Sequence, residues 1–240
     1  YNARMLALAH LDQAITSTSS AIIASSTRRY WPAKAVYPKA GATLPFKRIV
    51  AYYGNFYSKG MGVLGEYPSD VMLSMLRGEV ETWSAADPNT PVVPAIHYIA
   101  VVAQASVGKE GRYILRMPDD QIDHALELAR QVDGIVFLDV QVALSTLERE
   151  LPMLEKYLMM PEVHLGIDPE FSMKNGERPG TVIGTFDATD INYAIQYLAS
   201  LVEAHDLPPK ILVVHRFTQN MVTNYRQIRP VPEVQVVMDM

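Results

Sequence analysis

Two carboxylates follow an apolar run near the middle of the chain. Residues 163–167 are apolar apart from one histidine, and Asp168, Pro169 and Glu170 come directly after them. Residues i and i+2 of an extended chain point to the same side, so Asp168 and Glu170 are expected to lie together. Neighbouring carboxylates repel each other when both are ionised, which raises the pKa of one of them. This arrangement is typical of a proton donor in acid–base catalysis, although one carboxylate could instead cap the next loop while the other binds a lysine.

Three further apolar runs end in polar side chains. Asp139 and Gln141 follow the run 134–138 with the same two-residue spacing, His215 ends the run 211–214, and Asp239 follows the last run. An aspartate in this position can also cap a helix, and a histidine at a strand end can be a hydrogen-bonded structural group. The alternation predicts that these side chains point toward the same region as Asp168 and Glu170.

The first two apolar runs offer groups that could position a substrate. Tyr52, Tyr53 and Asn55 end the first run, and His97 ends the second. A phenol, an amide and an imidazole are suited to binding sugar hydroxyls or a carboxylate. His97 is equally compatible with a hydrogen-bonded histidine in the core.

These residues lie at the ends of short apolar runs that alternate with longer amphipathic ones. The alternation predicts six strands at residues 49–53, 91–96, 134–139, 163–168, 211–215 and 234–238. Helical spacing predicts helices from Ser69, over 119–132, across 144–158 with an interruption at Pro152, from near Asp187 or Thr189, and over 219–228.

Strands that alternate with helices in this way indicate a parallel α/β fold. No glycine-rich nucleotide-binding motif follows any strand, and several strands end in polar residues, which favours a TIM-type (β/α) barrel with its site at the carboxyl ends of the strands. Such a barrel has eight strands, whereas six β/α units are visible, so the barrel is expected to be incomplete or truncated at its C-terminus. Residues 1–47 are predicted to form a helical arm and linker, with helix over 3–24, and residues 48–240 the barrel domain.

Composition excludes several classes of function. The chain has 240 residues, a net charge of −5 and no cysteine. A chain without a basic stripe is a poor nucleic-acid binder, and the absence of cysteine excludes thiol catalysis and disulfides. No apolar run approaches the roughly 20 residues of a membrane span. We predict no cofactor, because no cofactor-binding motif is present.

Metal binding is a competing use of the same side chains. An oxygen-rich site with one imidazole is one way to hold a divalent ion. The residues available for it are Asp139, Asp168, Glu170, His215 and Asp239. The His-x-His pair that marks many metal-dependent barrel hydrolases is missing from the first strand, so no metal is predicted.

Five motifs carry a resemblance to a family of largely uncharacterised bacterial secreted and envelope proteins, often lipoproteins. They are Tyr52-Tyr53-Gly54, Val63-Leu64-Gly65-Glu66, Leu138-Asp139-Val140-Gln141, Ile167-Asp168-Pro169-Glu170-Phe171 and Leu212-Val213-Val214-His215-Arg216-Phe217. The resemblance spans residues 49–239, and the Asp-Pro-Glu stretch is its most specific part. It implies a barrel similar to those of glycoside hydrolases and a location outside the cell or in the envelope. It implies no settled activity.

The first hypothesis is a hydrolase that acts on a glycan or a similar polar polymer. Glu170 would be the general acid/base, and Asp168 or Asp139 would be the nucleophile, general base or electrostatic partner. The substrate-binding candidates are Tyr52, Tyr53, Asn55, His97, Gln141, His215 and Asp239. One alternative is a non-catalytic barrel that serves as a binding or structural component of a larger assembly with protein partners. The other is a hydrolase that depends on a divalent metal.

Overall fold

The computed structural model describes residues 1–8 and 36–239. Its main element is a curled parallel sheet of six strands, which forms half of a barrel. In their order across the sheet, the six strands are β1 (Arg48–Gly54), β2 (Val92–Ala103), β4 (Ile135–Val140), β5 (Val163–Ile167), β7 (Lys210–His215) and β9 (Val234–Asp239). The predicted α/β class and its six parallel strands are therefore confirmed.

Short elements complete the sheet and its edges. β3 (Ile114–Arg116) pairs with β2 in the antiparallel direction, and β6 (Phe186–Asp187) pairs with β8 (Val222–Thr223) in a small separate sheet. The α-helices are Asn2–Leu8, Val63–Glu66, Ser69–Ala86, Asp119–Arg130, Leu147–Glu150, Glu155–Leu158 and Ala188–Ala204. Single 3-10 turns lie at Leu151–Leu154, Pro169–Phe171, Gln219–Met221 and Tyr225–Gln227.

The long helices cover one face of the sheet. Their apolar stripes are fully buried against alternate strand residues, as Met72, Ile122 and Ile195 show, and the strands contribute Leu138 and Leu165 to the same core. Asp187 begins the helix Ala188–Ala204 with a capping box: its side chain accepts from the Thr189 amide, and the Asp190 side chain accepts from the Asp187 amide. This face supplies most of the hydrophobic core.

The other face of the sheet is concave and receives the remaining strand residues. Near the amino ends of the strands, Ala95, Phe137 and Ile211 form a small apolar cluster on this face. Two residues further along β2 and β4 the same face carries His97 and Asp139. The strand alternation therefore directs polar side chains from neighbouring strands onto one concave surface, above an apolar floor.

Two segments that the sequence predicts to be helical do not form one continuous helix in the structure. The segment around Pro152 is divided into two four-residue helices joined by a 3-10 turn, as expected for a proline that lacks an amide donor. Residues 219–228 contain two separate 3-10 turns around β8 instead of the predicted short helix. Asn224 has φ 51, which breaks the helical path between them.

The segment before β1 lies against the amino end of β9. The Leu44 amide donates to the Gln235 side chain (3.0 Å), whose amide donates back to the Leu44 carbonyl (2.5 Å). A short helix spans Asn2–Leu8, and the predicted arm from residue 9 to residue 35 lies outside the described residues. Within residues 1–8 and 36–239, no helix combines the length and apolarity needed to cross a membrane.

Candidate active site

A cleft of about 740 Å³ opens at the carboxyl ends of the strands. All six parallel strands, or the residues that follow them, supply its polar lining: Tyr53, His97, Gln141, Asp168, Glu170, His215 and Asp239. Carboxyl strand ends are where parallel α/β proteins usually bind ligands, because loops there surround a space that the sheet leaves open.

Three buried side chains converge at the base of the cleft. Asp139 Oδ1 lies 3.5 Å from His97 Nε2 and 3.4 Å from His215 Nε2. Asp139 has no exposed surface, and both histidines are more than nine-tenths buried. We call these three residues the buried cluster. On its outer side, His215 Nδ1 lies 3.3 Å from Asp239 Oδ2.

Hydrogen bonds connect the buried cluster to Asp168. The Tyr53 hydroxyl donates to Asp139 Oδ2 (3.1 Å). The Gln141 amide group donates to the Tyr53 oxygen (3.4 Å) and to Asp168 Oδ2 (3.3 Å), while its own carbonyl accepts from the Ala103 amide (3.0 Å). Gln141 thus holds a fixed position between the two aspartates.

Asp168 and Glu170 share the cleft but not a strand. β5 ends at Ile167, and Pro169–Phe171 forms a 3-10 turn whose first amide donor is missing at the proline. Asp168 Oδ1 accepts from the Glu170 amide (3.1 Å), so Asp168 is the cap of this turn. Asp168 is buried and Glu170 is partly exposed. The turn therefore presents one carboxyl group inside the cleft and one at its mouth.

The two buried aspartates have opposite charge preferences. Burial raises the pKa of Asp168 to about 7, and the negative charge of Asp139 adds to this effect. Burial also acts to raise the pKa of Asp139, but the imidazoles of His215 and His97 outweigh it and hold that pKa below its usual value. Carboxyl groups whose pKa values are driven apart in this way are suited to opposite roles in proton transfer.

His215 is the third strongly perturbed group. Burial lowers the pKa of His215, but the Asp139 carboxylate outweighs this effect. With smaller effects from Asp168 and Asp239, the pKa of His215 rises to about 9. For Tyr53, burial and then the negative charge of Asp139 raise the pKa of the phenol, which therefore remains a hydrogen-bond donor.

Two of the predicted substrate-binding residues lie outside the cleft. Tyr52 packs against the helix-side core, because it is the immediate neighbour of Tyr53 and the strand alternation sends it to the opposite face. Asn55 is buried and donates to the Ile99 carbonyl (3.0 Å), while its own carbonyl accepts from the Tyr57 amide (2.9 Å). The first contact connects the turn after β1 to β2, and the second lies within the turn.

The cleft also contains residues that sequence reasoning missed. Phe171 and Phe217 place aromatic rings in its lining. Gly166 lies in β5 beside Asp139, and a Cβ built there would be 2.4 Å from both Asp139 Oδ1 and His97 Nε2. An apolar strand interrupted by one glycine is a recognised sign of close approach, which could have identified Gly166.

Comparison with known families and curated proteins gives no match: no family model matches the chain, and none of the curated proteins shows significant similarity to it.

Proposed function

We propose that this protein is a hydrolase that acts on a glycan or a similar polar polymer. The observation that carries the proposal is the convergence of Asp168, Glu170 and the buried cluster in one open cleft. Hydrolysis of a polar linkage requires a proton donor to the leaving group and activation of a water molecule. A cleft with one partly exposed and one buried carboxyl group offers both.

The positions of the carboxyl groups suggest their roles. Glu170 lies at the cleft mouth, where it can reach a bound polymer, so we assign it as general acid/base. Asp168 is the buried partner whose raised pKa lets it hold or accept a proton near neutral pH. Asp139 is enclosed by Tyr53 and two imidazoles, so we assign it to positioning these groups rather than to attack on the substrate.

The open state of the cleft favours an enzyme over a non-catalytic barrel. A salt bridge or a covered strand end would be expected at Asp168 and Glu170 if they served only to hold the fold together. Within the described residues, neither forms an ion pair with a lysine or arginine, and both line the cleft. The rings of Phe171 and Phe217 add flat apolar surfaces against which a sugar ring could pack.

We also propose that the half-barrel corresponds to part of a TIM-type barrel. The curled parallel sheet, the helices on its outer face and the site at the carboxyl strand ends support this assignment. Two more strands would be needed to connect β1 to β9. The resemblance to secreted and envelope proteins supports a location outside the cell or in its envelope, which fractionation of cells that make the native protein would test.

The decisive experiment is a glycan panel assayed with the wild type and Glu170→Gln. The glutamine has nearly the same shape but cannot transfer a proton, so we expect kcat to fall by at least about 100-fold with an unchanged unfolding midpoint. Glu203→Gln, an exposed change on the helix Ala188–Ala204, is the matched control and should retain full activity. Full activity of the Glu170 variant would remove Glu170 from the mechanism.

A further inference from the structure

Three buried atoms in the cleft lack hydrogen-bond partners among the described residues. They are His97 Nε2, Asp139 Oδ1 and His215 Nε2, which face one another in the buried cluster. Native proteins pair nearly all buried polar atoms, because an unpaired one retains its full cost of desolvation. Three such atoms at one point therefore indicate a missing partner that all three can contact.

The spacing of these atoms fits a metal ion. The two nitrogen–oxygen distances are 3.5 and 3.4 Å, and all three atoms lie within 4.8 Å of one another. Metal–ligand bonds of about 2.1 Å in a tetrahedral site place neighbouring ligand atoms about 3.4 Å apart. Hydrogen bonds from a ring nitrogen to a carboxylate are shorter, at about 2.7–2.9 Å.

Gly166 keeps the space beside the cluster open. A Cβ at this position would lie 2.4 Å from Asp139 Oδ1 and 2.4 Å from His97 Nε2, which is closer than real Cβ atoms approach other atoms, so one or both of these side chains would have to move. Its backbone φ is not in the left-handed region, so the conformation of β5 does not itself require glycine. The glycine is needed because a larger residue would occupy the space beside Asp139 Oδ1 and His97 Nε2.

The groups around the cluster orient these atoms inward. Tyr53 donates to the other oxygen of Asp139, which leaves Oδ1 facing the imidazoles. Asp239 Oδ2 lies 3.3 Å from the other nitrogen of His215, so it can hold the Nδ1 proton when Nε2 binds an ion. Outer partners of this kind usually fix the tautomer and orientation of metal-binding histidines.

We propose that His97, Asp139 and His215 bind a divalent transition-metal ion, of which zinc fits the ligand set best. Two imidazole nitrogens and one carboxylate oxygen are typical zinc ligands. Both imidazoles line the cleft, so the fourth position of the ion faces the space where substrate would bind. Three protein ligands with one open position are characteristic of catalytic rather than structural zinc. The proposal does not rest on hydrolase activity, because ion binding is measured directly.

The test is zinc binding to the chelator-treated, dialysed chain, measured by calorimetry. We expect one zinc ion per chain, and Co²⁺ in its place should give the intense visible absorption of a tetrahedral nitrogen–oxygen site. His97→Ala, Asp139→Asn and His215→Ala should each weaken zinc binding at least about 100-fold, since loss of an outer partner alone costs about 10–100-fold. His205→Ala, which removes an exposed histidine, should bind as the wild type does.

A pair of glycine variants separates loss of the site from loss of the fold. Gly166→Ala should abolish zinc binding, whereas Gly60→Ala should not, because a Cβ at Gly60 meets no atom within 4 Å. Circular dichroism confirms folding of each variant, and the Co²⁺ spectrum of the wild type tests the site without any substitution. Absence of stoichiometric binding by the wild type, or equal affinity in the three ligand variants, would overturn the proposal. Hydrolysis that persists in metal-free protein would leave the proposed function intact and show that the ion is not needed for it.

Discussion

Two groups of buried charged side chains in this protein differ in how their polar atoms are paired. Arg116 binds Glu150 through two hydrogen bonds, from Nε (2.6 Å) and Nη2 (2.9 Å), and the Ser145 hydroxyl donates to the same carboxylate. Glu150, like Asp139, has no exposed surface. In the buried cluster, by contrast, one atom of each of the three residues has no hydrogen-bond partner among the described residues.

The difference distinguishes a structural ion pair from a binding site. Around Glu150 the chain supplies all the partners, so this group connects β3 to the helix Leu147–Glu150 without outside help. Around Asp139 the chain supplies ligands that point toward one another and a glycine that leaves them room. Burial alone therefore identifies neither role; the pairing of individual atoms does.

The largest expected effect falls on the fully paired group. Glu150→Gln keeps the shape but removes the charge that binds Arg116, so we expect the free energy of unfolding to fall by about 3 kcal/mol. Urea denaturation measures it, and Glu148→Gln, an exposed change in the same helix, should have almost no effect. A cost below about 0.5 kcal/mol for Glu150→Gln would show that the group is not a structural ion pair.

Zinc should stabilise the protein through the buried cluster alone. A ligand that binds only the folded state at a free concentration 100 times its Kd adds about 2.7 kcal/mol to stability. We expect this gain in the wild type and also in Glu150→Gln, whose metal ligands are intact, but not in Asp139→Asn. Thermal unfolding with and without zinc gives the answer, and an equal gain in Asp139→Asn would place the ion elsewhere.

His164 provides a smaller, pH-dependent test on the same concave face. Its Nδ1 accepts from the Ile211 amide (3.1 Å), and burial, with the nearby charge of Lys210, lowers the pKa of His164 to about 3. Below about pH 6.5 this histidine binds a proton in the unfolded chain, whereas in the folded chain it stays neutral down to about pH 3. This residue should therefore cost stability as the pH falls below about 6.5, by at most about 1.4 kcal/mol per pH unit, which amounts to about 2 kcal/mol at pH 5.

The matched variant for this test is His164→Asn. Its carbonyl can accept from the Ile211 amide but has no proton to gain, so its unfolding free energy should fall less steeply between pH 7 and pH 5. Urea denaturation at each pH compares the two proteins, and the carboxylates common to both cancel in the comparison. Parallel curves for the variant and the wild type would contradict a neutral buried His164.

Much of the fold follows from local patterns, because strands and helices have different periods of hydrophobicity. The same alternation predicts that Asp139 and Gln141 share a face, as they do on β4 and its continuation. Two-residue spacing was less informative for Asp168 and Glu170, because Pro169 ends the strand and the turn then sets their positions.

The arrangement of the buried cluster could not be read in the same way. It depends on the register between strands, which places Asp139 beside Gly166 and opposite Ile99, with an irregularity in the β2–β4 pairing just beyond. Long-range pairing of this kind leaves no mark in a single sequence. For this reason the sequence leaves His97 equally compatible with the core, and it does not show which side chains approach Gly166.

The hydrogen bond from the Glu170 amide to Asp168 links the shape of a loop to the chemistry of the cleft. The same carboxyl group that is suited to holding a proton also fixes the backbone that carries the second carboxyl group. A longer acid at position 168 would displace Glu170 as well, so the two positions cannot change independently. Any redesign of the proton donor in this cleft must therefore rebuild the turn with it.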